Sequence, residues 1–214
     1  MVRKPAKVTV DMRRSQLMED LENYQRISLE LGASEAKIIK TKDIPVEEAV
    51  VVKCQIPGCY GYGICAHCPP HAPKPAELRK YLEGYEKAVF FIKYVPTELL
   101  LRHRDDKERR DAFRSIYDIV SKIEAMAFYD GYYLSFGFAV GSCKTTFCGP
   151  DKSCTVLEEE VCRFPFVARP SMEAVGINVY KMVAAAGWEI YPIGHSTRAE
   201  DIPRATLAGI VIVQ

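Results

Sequence analysis

The eight cysteines of this 214-residue chain fall into two compact sets with no outlier. The first is Cys54-x4-Cys59-x5-Cys65-x2-Cys68 and the second is Cys143-x4-Cys148-x5-Cys154-x7-Cys162, so the first three members share one spacing. Thiolates are soft donors, and four per site suit either Zn²⁺ or an iron–sulfur cluster. Three features favour iron–sulfur. Pro69-Pro70 follows Cys68 directly, much as a proline follows the last cysteine of a bacterial ferredoxin run. The loops Pro57-Gly58-Cys59-Tyr60-Gly61-Tyr62-Gly63 and Gly141-Ser142-Cys143 offer bare backbone that can wrap a bulky cluster and aim N–H groups at its sulfurs. Only Cys65 and Cys68 form the tight knuckle that structural zinc sites use in pairs. The expectation is two [4Fe–4S] clusters on Cys54, Cys59, Cys65, Cys68, Cys143, Cys148, Cys154 and Cys162, with two Zn²⁺ as the alternative.

How the cysteines divide between two centres stays open. Sequence-local sets of four are the simpler arrangement. Thr155-Val156-Leu157-Glu158 has the form of a capping box, however, and predicts a short helix from Val156 to Cys162. Two turns would part Cys154 from Cys162 by about 12 Å of axial rise. A crossed arrangement, as in two-cluster ferredoxins, would send Cys162 to the first segment's centre and one first-segment cysteine to the second.

Other residues near these segments have an ordinary reading and a functional one. His67 and His71 could replace a thiolate, although loop histidines of this kind more often face solvent or a ligand's outer side. Tyr60 and Tyr62 would shield a cluster from water. Lys144, Arg163 and Arg169 flank the second segment, where cations would favour a reduced cluster but also serve as plain surface charge. Ser171 reads as a helix N-cap whose positive end lies near the second cluster. His195 follows a predicted strand, as a functional loop residue could, although an ordinary loop residue is the simpler reading. The chain carries no phosphate-binding glycine loop, no nucleophile elbow and no Cys-x3-Cys-x2-Cys signature of radical S-adenosylmethionine enzymes.

Composition narrows the setting. A formal net charge of +1 lacks the basic footprint of a nucleic-acid binder. The mixed run Arg102–Arg110 reads as a solvated helix start. The first residues are charged without an apolar stretch behind them, and no apolar run approaches the roughly 18 residues a membrane span needs. A cytoplasmic, reducing location follows, which favours metal over disulfides. The expected partner is a redox protein, with neither nucleic acid nor membrane; oligomeric state is left open.

The positioning elements follow from periodicity. Helices are expected at about 15–31, stopped by Gly32; from Pro75, carrying Leu78, Tyr81, Leu82 and Tyr85; over Asp106–Tyr129, with Gly131 beyond its end; and over Ser171–Ala186, closed by Gly187. Strands are expected at Ala36–Thr41, Ala49–Lys53, Ala88–Ile92, Tyr132–Val140, Trp188–Pro192 and Leu207–Val213. This order predicts an α/β fold: a single compact sandwich over 1–214, with a mixed sheet and helices packed on it. The cysteine-rich segments 54–75 and 143–162 would be inserted at strand ends, where α/β sheets commonly carry sites.

The chain resembles a family of uncharacterised, predicted metal-binding proteins, a domain of unknown function found mainly in anaerobes. The resemblance rests on Cys59-Tyr60-Gly61-Tyr62-Gly63, Cys65-x2-Cys68-Pro69-Pro70, Cys143-Lys144-x3-Cys148, Cys154, Cys162 and Ala168-Arg169-Pro170-Ser171-Met172-Glu173-Ala174-Val175-Gly176. It runs from about Cys54 to the C-terminus and implies metal binding through the cysteines. Three functions compete: electron transfer or redox assistance to a partner enzyme, an enzyme with an open iron site on a small substrate, and a structural zinc scaffold.

Overall fold

The computed structural model describes residues 5–8, 14–103, 106–149 and 152–214. Arg104 and Asp105 of the charged run, and the first four residues, lie outside the described residues. The elements run α1 (Arg14–Glu30), β1 (Glu35–Lys40), α2 (Glu48–Gln55), α3 (Pro75–Leu82), β2 (Lys87–Val95), α4 (Thr97–Leu101), α5 (Lys107–Tyr129), β3 (Phe136–Phe138), α6 (Val179–Ala185) and β4 (Ala205–Ile212).

The apolar run in β2 makes it a central strand, and the sheet order is β1-β2-β4-β3. Successive side chains of a strand point to opposite faces. Val89 and Phe91 therefore join Val211 and Leu207 beneath α1 and α5, while Phe90 and Ile92 join Ile210 and Ile212 on the other face with α3 and α6. Both faces are covered, which is why β2 reads as a continuous apolar run. Burying Phe90 or Phe91 is worth about 1.5–3 kcal/mol each. The Phe91 ring fills the space over Gly209, where a Cβ would lie 2.8 Å from the ring.

Every strand pair is antiparallel, which corrects the expected mixed sheet. Trp188–Pro192, expected as a strand, runs without sheet partners because Trp188 instead stacks on Phe90 with ring centroids 5.4 Å apart. The strand expected at Ala49–Lys53 is the helix α2. Its valines favour a strand locally, but Arg79 holds its N-terminal end through the Val46 carbonyl and the Glu48 carboxylate, away from any sheet edge. The strand expected over Tyr132–Val140 shortens to β3. The helix expected over Ser171–Ala186 breaks at Gly176 (φ 90°) into a single turn, Glu173–Val175, and α6. Among the described residues, no helix is long and apolar enough to cross a membrane.

Candidate metal centre

The first cysteine segment leaves the end of a helix, not of a strand, since Cys54 sits in the last turn of α2. Short backbone bonds then coil the loop: Cys59 N–H to the Cys54 carbonyl at 2.8 Å, Gly63 N–H to the Pro69 carbonyl at 2.8 Å, and Cys68 N–H to the Cys65 carbonyl at 3.0 Å. Gly61 presses its backbone against Cys68, for a Cβ there would stand 3.0 Å from the Cys68 Sγ. The glycine thus permits a close approach to a thiol, the use expected of this loop.

The second segment follows β3. Lys144–Cys148 forms one wide π-helical turn, closed by Gly149 N–H on the Lys144 carbonyl at 3.0 Å. The helix expected from Val156 to Cys162 is absent; a 3₁₀ turn spans Thr155–Glu158. Glu159 then takes the left-handed conformation (φ 62°), and the Thr155 hydroxyl donates to the Val161 carbonyl at 2.9 Å. The Thr155 side chain thus folds the chain back on itself where a capping box would have launched a helix. Cys154 and Cys162 consequently line the same cavity, and Cys162 stays with its own segment.

The two segments meet at the end of the α5 face of the core. Cys65, Cys68 and Cys143 are buried there beside Tyr117 of α5. The Cys65 and Cys143 sulfurs are 3.3 Å apart, His67 Nδ1 is 3.5 Å from the Cys143 sulfur, and the Cys68 thiol donates to the Ser142 hydroxyl at 3.6 Å. Two cavities flank this junction. A wide one of about 450 Å³ is lined by Cys54, Cys59 and Cys68. A narrow one of about 20 Å³ is lined by Cys65, Cys143, Cys148, Cys154 and Cys162. All eight cysteines are free thiols. Among the described residues, no group of three or more Cys, His, Asp or Glu side chains is gathered to hold a single metal ion.

Crowding sets the electrostatics. Hydrogen bonds from Cys143 and then Cys68 push the Cys65 thiol far below the ordinary range. The same contacts, with burial, push Cys68 and Cys143 well above it. Crowding of the three sulfurs thus favours a thiolate at Cys65 and disfavours one at Cys68 and Cys143. Cys54 is pushed up to about 11, first by burial and then by the neighbouring Cys59 and Glu173. Burial raises Cys148, while Arg163 acts in the opposite sense. Burial lowers His67, favouring its neutral imidazole.

The remaining sequence candidates separate clearly. Tyr60 and Tyr62 line the wide cavity; His67, Lys144 and Arg163 line the narrow one. His71 and His195 are exposed and line neither of these cavities. Arg169 is committed to Glu124, with Nε–Oε2 at 2.9 Å and an Nη–Oε1 contact at 2.6 Å. The Ser171 hydroxyl accepts from Ala174 N–H at 3.1 Å and lines the wide cavity. Arg109 and Arg110, read as part of a solvated helix start, stand in the wall of the wide cavity.

Two further residues escaped the sequence reading. Tyr117 is fully buried, its hydroxyl has no hydrogen-bond partner among the described residues, and its pKa is raised by burial and then by Cys143, Cys68 and Cys65. Glu173 lies in the wide cavity's wall, its carboxyl pushed up by burial. Tyr117 carried only the signal of a core position in α5, and Glu173 only its place in the Ala168–Gly176 motif, with no role attached.

An antiparallel α/β fold that gathers two cysteine-rich segments around neighbouring cavities defines a cysteine-rich metal-binding protein. The chain belongs to the family described as predicted metal-binding protein (DUF2284), whose model matches residues 37–213. That span starts before the first cysteine and takes in most of β1, so the sheet belongs to the family pattern along with the cysteine segments. No curated protein and no solved structure matches the chain.

Proposed function

We propose that the eight cysteines hold two iron–sulfur clusters of the [4Fe–4S] type and that the protein passes single electrons to a partner redox protein. The carrying observation is the 3.3 Å contact between Cys65 and Cys143, which puts two cysteine-rich segments side by side. Cys54, Cys59 and Cys68 lie on one flank of that contact and Cys148, Cys154 and Cys162 on the other. Each flank then needs one sulfur of the central pair to reach four.

The donor chemistry fits. Zinc requires four ligand atoms converging at about 2.0–2.3 Å from one point, whereas Cys54, Cys59 and Cys68 line the wall of the 450 Å³ cavity. The orphaned Tyr117 hydroxyl is a buried donor beside three thiols, where a thiolate or sulfide acceptor would satisfy it. Gly61 lets backbone close on Cys68, and the Phe164 N–H lies 3.3 Å from the Cys162 sulfur. N–H donors of this kind set reduction potential. Tyr60 and Tyr62 cover the wide side. The clusters supply one-electron chemistry; the chain holds them adjacent and partly dry.

Anaerobic purification tests this. Two clusters predict a brown protein with about eight iron and eight sulfide per chain, reducible by a low-potential donor. A colourless protein with two zinc overturns the reading.

A second reading has its own support. Three of the eight thiols face the wide cavity, so an iron held there could present a coordination position to a small substrate. A cluster EPR signal that shifts when a small molecule is added would favour this enzyme reading over the carrier.

A further inference from the structure

Between Cys154 and Cys162 the chain closes into a small lobe. The Leu157 N–H donates to the Cys154 carbonyl at 3.0 Å, the Glu160 N–H to the Thr155 carbonyl at 2.9 Å, and the Thr155 hydroxyl to the Val161 carbonyl at 2.9 Å. Val156 and Phe164 line the narrow cavity beside Cys148, Cys154 and Cys162, so the lobe and the second cysteine set share a wall. Much of the lobe's apolar surface is nevertheless left to solvent. Val161 is 81% and Phe166 85% exposed, the highest values among the large apolar side chains described, and Val156 and Leu157 are exposed as well. Isolated exposed apolar residues are ordinary. Four within one short segment form a patch of the kind that marks an interaction site.

Charge says what covers it. Glu158, Glu159 and Glu160 interrupt the apolar run, all three exposed and none in an ion pair among the described residues. Glu159 holds a left-handed backbone (φ 62°), where a turn needing only its shape would be better served by glycine. Of the segment's cations, Lys152 precedes Cys154, and Arg163 donates to the Ser153 carbonyl at 2.7 Å and lines the narrow cavity. The whole chain carries a net charge of +1, so any pull on a basic protein is local to this lobe. A second copy of the chain is the poorer occupant. Meeting about a twofold axis, two lobes would set like carboxylates against each other.

We propose that the lobe at residues 155–166 is the docking surface for the redox partner, and that this partner is a protein presenting lysine or arginine side chains around an apolar centre. The inference rests on the electron-transfer reading and adds to it the face that meets the partner. Val156, Leu157, Val161 and Phe166 would exclude water at the centre of the contact, and Glu158, Glu159 and Glu160 would steer the approach. Redox encounters of this kind are small and sensitive to salt, which screens exposed charges. Because Val156 lines the cavity of Cys148, Cys154 and Cys162, a partner seated on the lobe stands next to the second cysteine set.

The test uses the full chain as purified without oxygen. The probe is ferric cytochrome c, a small haem protein with lysines ringed round its exposed haem edge; the control is its succinylated form, whose lysines are turned into carboxylates. The iron-loaded chain, reduced with stoichiometric dithionite, is mixed with each by stopped flow. One electron leaves the reduced iron–sulfur protein for each ferric haem, which becomes ferrous. The rate with cytochrome c should fall about tenfold or more between low and high salt. At low salt the succinylated form should react more slowly. The double variant Glu158→Gln, Glu160→Gln should slow the reaction about fivefold at low salt. Phe166→Ser should slow it at low and high salt alike. Glu83→Gln, just beyond α3 on the opposite face of the sheet, should change nothing. Iron is counted in every variant. Line broadening of isotope-labelled cytochrome c reads binding without electron transfer, and the lobe variants should diminish it.

The proposal fails if the rate ignores salt, if the two cytochromes react alike, or if the lobe variants behave like the parent with iron intact. It fails equally if sedimentation shows a dimer that Phe166→Ser dissociates. A brown protein that reduces ferricyanide while cytochrome c ignores its lobe variants would sink this docking surface and leave the cluster reading standing. A zinc-holding protein that broadens cytochrome c through the lobe would do the reverse.

Discussion

The sulfurs of Cys65 and Cys143 lie 3.3 Å apart although 78 positions separate them in sequence. The first segment does not bring its four cysteines into one cavity: Cys65 leaves Cys54, Cys59 and Cys68 to face the cavity that all four cysteines of the second segment line. If each centre takes one sulfur of the central pair, Cys65→Ser and Cys143→Ser should each lower iron from about eight to about four per chain. The surviving EPR signal should differ between the two variants. Loss of the same signal from both would mean that Cys65 and Cys143 serve one centre.

Tyr117 should show opposite signs in the two forms of the protein. Its hydroxyl is buried without a partner among the described residues, and an unsatisfied buried donor costs about 1–3 kcal/mol. Tyr117→Phe should therefore leave the metal-free protein as stable or more stable in urea. In the loaded protein the hydroxyl would donate to cluster sulfur, so the same change should shift a reduction potential to a more negative value. Redox titration beside urea denaturation checks both halves. An unchanged potential removes Tyr117 from the site.

Gly61→Ala should injure the metal centre more than the fold. The new Cβ would meet the Cys68 sulfur at 3.0 Å and the Ser142 side chain at 3.6 Å. Overpacking of this kind costs about 1–3 kcal/mol. Iron content should fall while far-ultraviolet circular dichroism stays close to that of the parent. Full metal loading would show that the loop can yield.

The Arg169–Glu124 pair ties the segment after Cys162 to α5, with both side chains about four-fifths buried. Removing one partner of a buried pair strands the other and costs about 3–5 kcal/mol, the lower end applying to a pair that keeps some exposure. Glu124→Ala should thus destabilise by about 3 kcal/mol, with Glu124→Gln, which retains an acceptor, losing less. Chemical denaturation of the metal-free protein measures this without interference from iron.

Metal removal should be felt locally. Residues 54–72, 143–149 and 152–166 rely on short turns and glycine loops, whereas β2 and β4 are buried between helices on both faces. Stripping iron with a chelator should speed amide exchange in those two segments and spare the sheet. Uniform loss of protection would mean that the metal organises the whole fold.

The sequence by itself determined the metal-binding family and the strongest elements. Eight paired-off cysteines, the apolar run at Phe90, and the 3.6-residue periodicity of α5 are local signals, each complete within a short stretch. Short-range spacing also placed the glycine of the Tyr60–Tyr62 loop against a thiol. The tertiary structure decided the rest: that Val50–Val52 is helical, that the sheet is antiparallel, that Thr155 folds the chain back where a capping box was expected, and that Cys65 meets Cys143. These outcomes depend on which surfaces two distant segments present to each other once α5 and β4 have packed. Spacing along the chain limits how far a side chain can reach, but it does not say which loop will be there to be reached.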